Sequence, residues 1–221
     1  MEESAIGLFD RVVAPLGTGF CYTIWLFLAA SILSLLVGFF AGLIKNYRLP
    51  IIHYLITGYV TIVRGTPFLL VLFIIYYVLP FFNIMVSSFA AGVLALIIHE
   101  GAYITEIVCG GIESIDKGQL EASYALGLNY FQKMRYVILP QAIKIMLPPL
   151  AGQMVLLIKA TSIVSLIGLV EVTRVGRQLA QRGENPFLVF ALVGVFYFII
   201  CYPVIDVSDR LERRFSQKNN D

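Results

Sequence analysis

An all-α integral membrane fold is what this chain predicts, and three observations predict it. Of its 221 residues 59% are hydrophobic and only 14% are charged, against about 25% charged in a typical soluble domain. Four apolar blocks run almost without charge, each long enough for one or two crossings of about 20 residues. None of them alternates polar and apolar residues as barrel strands would. A helix satisfies its own backbone in lipid and is therefore the default. The net charge of +2 is too small to imply nucleic acid.

The first block runs uncharged from about Thr18 to Ile44 and predicts one helix. Its "GFFAG" places Gly38 and Gly42 four apart, a spacing that lets helices approach closely. The second block, Gly65 to Ile98, is too long for one crossing, and "LPFFN" at 79–83 divides it into helices of about 67–80 and 88–109. Pro67 suits the first turn of its helix, and Arg64, Gly65 and Thr66 complete that opening at the membrane edge. There Arg64 snorkels to lipid phosphates. The stretch "LPPLAGQMVLLIKATSIVSLIG" (147–168) predicts a fourth helix and "PFLVFALVGVFYFIICYPVI" (186–205) a fifth. Between them Val172, Val175 and Leu179 recur at helical spacing, as in a short helix lying on the membrane surface.

Five crossings put the termini on opposite sides. One set of loops carries Lys45, Arg48, Arg64, Lys117, Lys133, Arg135 and Lys144, with Arg210, Arg213, Arg214 and Lys218 in the tail; the other carries Arg11, Arg174, Arg177 and Arg182. Eleven basic residues against four place the C-terminus in the cytoplasm and the N-terminus outside. The chain then divides into an external segment (1–18), a membrane domain (19–209) with a cytoplasmic loop of about 110–146, and a basic tail (210–221). Acidic Glu2, Glu3 and Asp10 at the start argue against a secretory signal peptide. Cys21, Cys109 and Cys201 have neither CxxC spacing nor a neighbouring His, so packing is expected of them and no metal.

The loop is far longer than the two to eight residues usual between bundled helices. Within it Leu120, Tyr124 and Leu128 fall at helical spacing, with Gln119, Glu121 and Ser123 on the other face. Gly127 ends that helix. Asn129 caps a second one with Gln132 at the capping-box position, Phe131, Met134 and Val137 or Ile138 form its apolar face, and Pro140 disturbs its end. A helix, a tight turn and a second helix thus stand off the membrane, shaped to fit a socket on a partner.

Ionisable residues inside the membrane are functional candidates by default. His99, Tyr103 and Glu106 share one face of the third helix, with Glu100 offset by about 100°. Lys159 lies about 18 Å into the fourth helix, at a depth similar to that of Glu100. Two readings stand for this set. Glu100 and Lys159 line a translocation path, holding the ammonium and carboxylate of a zwitterion, or they form an ion pair that locks two helices together. His99 is a path residue or a core histidine, and Glu106, near the cytoplasmic end, fits a structural contact better.

The stretch "EASYALGLNYFQKMRYVILP" (121–140) resembles the EAA loop of ABC importer permeases. Glu121-Ala122-Ser123, Gly127, Val137 and Leu139-Pro140 keep that family's spacing, departing from it in Ser123 for Ala and Val137 for Ile. "VRGTPFLLVLF" (63–73), "AYITEIVCGGIESIDKGQLEAS" (102–123), "ILPQAIKIMLPPLAGQ" and "LIKATSIVSLIGLVEVT" resemble the polar amino acid branch, with Cys109 and Val71 as departures. The resemblance covers about residues 20–215. It implies the type I ABC importer permease fold and one permease subunit of an amino acid importer. Such a subunit pairs with an identical or related permease chain, two ATPase subunits and an extracytoplasmic solute-binding protein in a prokaryotic inner membrane. It implies that Leu120, Glu121, Ala122, Ser123, Tyr124 and Gly127 form the coupling helix. The chain has no Gly-Lys dipeptide and hence no GxxxxGK[ST] phosphate loop, so ATP and Mg²⁺ are expected on the partner and no cofactor on this chain. A self-sufficient secondary carrier and a non-transporting assembly factor are the competing readings. Short length, a lack of internal repeats and the helical loop oppose the carrier, and buried ionisable residues oppose the assembly factor. Glutamine, arginine, histidine, cystine and opine-like substrates stay open, two intramembrane Glu against one Lys leaning toward a cationic one.

Overall fold

The computed structural model describes residue 7, residues 9–47 and residues 49–216, with side chains through residue 213. The expectations attached to Glu2, Glu3, Arg48, Lys218 and the Arg214 side chain lie outside the described residues. The described chain is helical, in the order α1 (Phe9–Asn46), α2 (Pro50–Arg64), α3 (Phe68–Phe82), α4 (Ser88–Glu113), α5 (Lys117–Ala125), α6 (Tyr130–Ile167), α7 (Val172–Gln181) and α8 (Pro186–Ser216).

Four of these, α1, α4, α6 and α8, are long and apolar enough to cross a membrane, and the number is five if the bent pair, α2 with α3, is one span. That pair differs from expectation. Residues 50–64 form a helix instead of a loop, and the chain bends by 105° before α3. The elbow is Gly65-Thr66-Pro67, with Gly65 capping α2 and Pro67 extended at ψ 136 ahead of α3. Proline has no N–H to continue the α2 ladder and disfavours helical backbone in the residue before it. Hence Arg64, Gly65, Thr66 and Pro67 form the corner of the bent pair, where the sequence suggested a helix start. α1 also begins earlier than expected, its helix reaching back to Phe9.

The small residues of α1 fit against α4. A Cβ on Gly38 would lie 2.5 Å from Ile104 Cβ and 2.9 Å from the Gly101 carbonyl oxygen, and one on Gly42 would lie 2.6 Å from Val108 Cβ. Around this seam sit two apolar clusters. One joins Leu26, Ala30, Leu72, Leu96, Leu157 and Val164. The other joins Ile104, Val108, Ile112, Met134, Ile138 and Met146 at the loop end of the bundle. α7 does not lie on the membrane surface as a lipid-facing helix. Its Val172, Val175 and Leu179 are buried against Val12, Leu16, Val189 and Val193 of α1 and α8. Glu171 caps α7 by accepting from the Thr173 and Arg174 amides, and Tyr197 of α8 donates to the same carboxylate at 2.9 Å. Burial raises the Glu171 carboxyl above its ordinary pKa, an effect that the Thr173, Arg174 and Tyr197 hydrogen bonds oppose.

α6 begins inside the loop. The helix opened by Asn129 runs through a π turn at Met134–Ile138 directly into the membrane segment. Pro140 thus sits in a first turn after the π turn instead of ending a separate helix. A wide turn relieves the clash that a proline ring otherwise makes with the carbonyl four residues back.

Candidate functional site

Two places concentrate chemistry. The first is the loop. Asp116 caps α5 by accepting from the Gly118 amide at 2.8 Å. α5 ends in a double-bonded turn, the Gly127 amide donating to the Tyr124 carbonyl at 2.9 Å and the Leu128 amide to the Ser123 carbonyl at 3.1 Å. These are the two bonds of a Schellman motif, and they require a left-handed residue at Gly127, whose φ is 69°. The expected capping box then forms: the Gln132 amide donates to Asn129 Oδ1 and the Asn129 amide to Gln132 Oε1, both at 3.0 Å.

The faces of α5 are not divided as the spacing suggested. Ser123 is buried, its hydroxyl donating to the Leu120 carbonyl, while Tyr124 is 66% exposed. Folding back at Gly127 turns Ser123 toward α6, and Leu120 packs partly against the Met134 cluster. Glu121 and Ala122 are exposed. Tyr124, Leu126 and Phe131 leave large apolar surfaces open at 66%, 77% and 75%. Lys133 is buried and holds this surface from behind. Its ammonium donates to the Tyr124 hydroxyl at 2.7 Å and lies 4.0 Å from the centre of that ring. The Tyr124 phenol is lowered from its ordinary pKa by this hydrogen bond and by the Lys133 charge. The result is a braced apolar knob with an acidic rim.

The second place is a polar row on α4. Glu100 is buried, accepting a hydrogen bond from Gln153 Nε2 of α6 and meeting His99 Nδ1 at 3.1 Å. His99 packs between Phe68 and Tyr103, each 5.2 Å away between ring centres. Glu106 pairs with Lys45 and with Arg64, the latter at 3.5 Å, and the Arg64 guanidinium lies 5.3 Å from the Tyr103 ring centre. A cavity of about 410 Å³ opens beside Lys45, Thr57, Arg64, Tyr103 and Glu106. The expected meeting of Glu100 with Lys159 does not occur. Lys159 is exposed on the outer side of α6 and enters no ion pair among the described residues. Arg64, expected to snorkel, is instead held by Glu106 and Tyr103. Gln153 escaped the sequence reading, and Lys45 was read only as a loop charge and not as the partner of Glu106. The signal for Gln153 was a lone amide in the otherwise apolar "PPLAGQMVLLI". Among the described residues no group of three or more His, Cys, Asp or Glu could hold a metal.

A multi-span helical bundle with a polar interior row and a braced knob beyond its spans suits the subunit of a membrane transport system. Residues 34–217 match the family described as "Binding-protein-dependent transport system inner membrane component", and the chain belongs to that family. It is a multi-pass inner-membrane permease subunit, and the ATPase of such a system is a separate chain. The chain is 37% identical over 194 residues to the glutamine transport system permease protein GlnP of Escherichia coli (strain K12), covering 87% of this chain and 89% of that one. It is 34% identical to the L-cystine transport system permease protein TcyB of Bacillus subtilis (strain 168), covering 91% and 87%. A crystal structure of an amino acid ABC transporter superposes with a TM-score of 0.85 at 34% identity, covering 91% of this chain and 94% of that one. The inward-facing MetNI methionine ABC transporter shares the fold, with a TM-score of 0.78 at 21% identity.

Proposed function

We propose that this chain is the permease of an ATP-driven importer of a polar amino acid or close derivative. The observation that carries the reading is the Schellman-capped knob at Gly127, braced by Lys133 and leaving Tyr124, Leu126 and Phe131 uncovered outside the membrane spans. Leu120, Glu121, Ala122, Ser123 and Tyr124 form the coupling helix, which docks on an ATPase. ATP and Mg²⁺ belong to that partner. The complex holds two ATPase subunits, a second permease chain and an extracytoplasmic binding protein. The C-terminus and the loop face the cytoplasm, as the basic residues favour. His99, Glu100, Tyr103 and Glu106 line the path, with the arrangement at Gly65, Thr66 and Pro67 turning the chain around it. Glu100 offers a carboxylate to a substrate ammonium, and Gln153 keeps that carboxylate oriented. Lys159 reaches the path only where the second permease chain completes it. The names of the relatives favour glutamine or cystine within the amino acid class.

The test is a pull-down from gently solubilised membranes, with each co-purifying chain counted. A GxxxxGK[ST] ATPase at about one per permease chain is expected, and Gly127→Val, a β-branched residue at a left-handed position, should remove most of it. A chain that arrives alone, or an ATPase unaffected by Gly127→Val, would overturn the coupling role and bring a secondary carrier forward.

A further inference from the structure

At the loop end of the bundle, α1 and α6 diverge and leave a cavity of about 540 Å³. Its walls are Phe40 and Ile44 from the last turns of α1, Tyr47 just beyond, and Phe131, Arg135 and Leu139 from the first turns of α6. The α1 wall belongs to a candidate membrane span, and the α6 wall to the turns that lead into one. Tyr47 and Tyr130 close one side edge-on, with ring centres 4.6 Å apart. Tyrosine at this level marks the boundary between hydrocarbon and headgroups. Among the described residues no acidic residue lines the cavity. Arg135 is, among the described residues, the only charge lining it, exposed and in no ion pair. Two neighbouring cations are engaged elsewhere, Lys45 with Glu106 and Lys133 with Tyr124.

We infer that this groove binds one anionic phospholipid, with an acyl chain along Phe40, Ile44 and Leu139 and the headgroup phosphate against Arg135. An apolar slot open between two spans, with one unpaired guanidinium at its headgroup end, matches the two halves of such a lipid. Basic pockets between membrane helices recognise acidic headgroups in this way. A guanidinium also pairs with phosphate through two parallel N–H bonds, and the choline ammonium of a zwitterionic headgroup repels it. Because Phe131 and Arg135 open α6 directly after the Gly127 turn, an occupied groove also braces the knob. The inference rests on the membrane placement of α1 and α6 and not on the transport reading.

Native mass spectrometry of the purified complex tests it, titrating phosphatidylglycerol against phosphatidylcholine of the same acyl chains. About one phosphatidylglycerol per permease chain should survive activation, and Arg135→Gln should weaken that binding about fivefold while phosphatidylcholine changes little. Ile44→Trp, which fills the slot and leaves the charge, should also displace the lipid. It stands as the second reading where Arg135→Gln fails to assemble. Equal retention of both lipids, or wild-type phosphatidylglycerol binding in both variants, would overturn the inference. So would full displacement by glycerol phosphate, which would make the site a phosphate site. Loss of the ATPase from Arg135→Gln with lipid retained would make the groove a protein contact and overturn it equally.

Discussion

Replacing Gly38 by alanine would drive a methyl group to 2.5 Å from Ile104 Cβ and Cγ2 and 2.9 Å from the Gly101 carbonyl oxygen. Carbon atoms pack at about 3.5–4.0 Å, so α1 and α4 must part by roughly 1 Å. Overpacking of this kind destabilises by about 1–3 kcal/mol, and the upper half of that range applies because a Cβ and a backbone oxygen cannot swing away. Alanine is otherwise the better helix former by about 1 kcal/mol, so the sign of the change separates packing from flexibility. Gly194, with no atom within 4 Å of a built Cβ, should accept alanine without loss. Gly92 supplies a second comparison: its Cβ would meet Val164 Cγ1 at 2.5 Å, with the next atoms at 3.5 Å or more. Val164→Ala removes that methyl, so the double variant Gly92→Ala/Val164→Ala should recover at least about 1 kcal/mol against the sum of the singles. Gly38→Ala/Ile104→Ala should recover nothing, because the Ile104 Cβ remains. The assay is the fraction of purified complex that stays monodisperse after a fixed heating time in one detergent. A Gly38→Ala complex as heat-resistant as wild type, or one restored by Ile104→Ala, would refute the seam.

Glu100→Gln should lower substrate uptake about tenfold, the worth of one hydrogen bond to a charged group, while the complex assembles normally. Unchanged uptake and unchanged substrate-stimulated ATPase would remove Glu100 from the path. Glu171 gives a pH dependence. Its folded pKa is raised by burial, so the stability it contributes is fully present below the ordinary carboxylate value and lost as pH rises through the raised one. Heat survival should fall across that window, and Glu171→Gln should flatten the fall. An equal slope in wild type and variant would show that the carboxyl does not titrate there.

Much of the loop was legible because its determinants are local. Asn129 and Gln132 sit three residues apart and cap each other whatever surrounds them, and Gly127 marks a backbone conformation that other residues resist. The four-residue spacing of Gly38 and Gly42 announced a close helix contact, whereas the spacing of Val172, Val175 and Leu179 gave a helix but not its place, which is buried against α1 and α8 instead of on the membrane surface. α2 was illegible for the opposite reason. His53, Thr57 and Thr61 interrupt its apolar run, and basic residues flank both ends, so "PIIHYLITGYVTIVR" reads as a loop until the elbow at Pro67 is seen to join it to α3.

Composition and periodicity alone determined the helical membrane fold, the apolar blocks and the helix–turn–helix that leaves the bundle. They also suggested that Glu100 and Lys159 lie at similar depth, but Glu100 meets Gln153, six residues or about 9 Å of helix away from Lys159. Which of them face each other was decided only in three dimensions. Depth is one coordinate, but the rotation of each helix about its axis is set by side-chain packing. With Gly38 and Gly42 seated against Ile104 and Val108, α4 turns Glu100 toward Gln153 and leaves Lys159 on the outside of α6. Likewise Ser123 is buried and Tyr124 exposed because the fold-back at Gly127 orients α5 against α6, a relation between distant turns that no local pattern encodes.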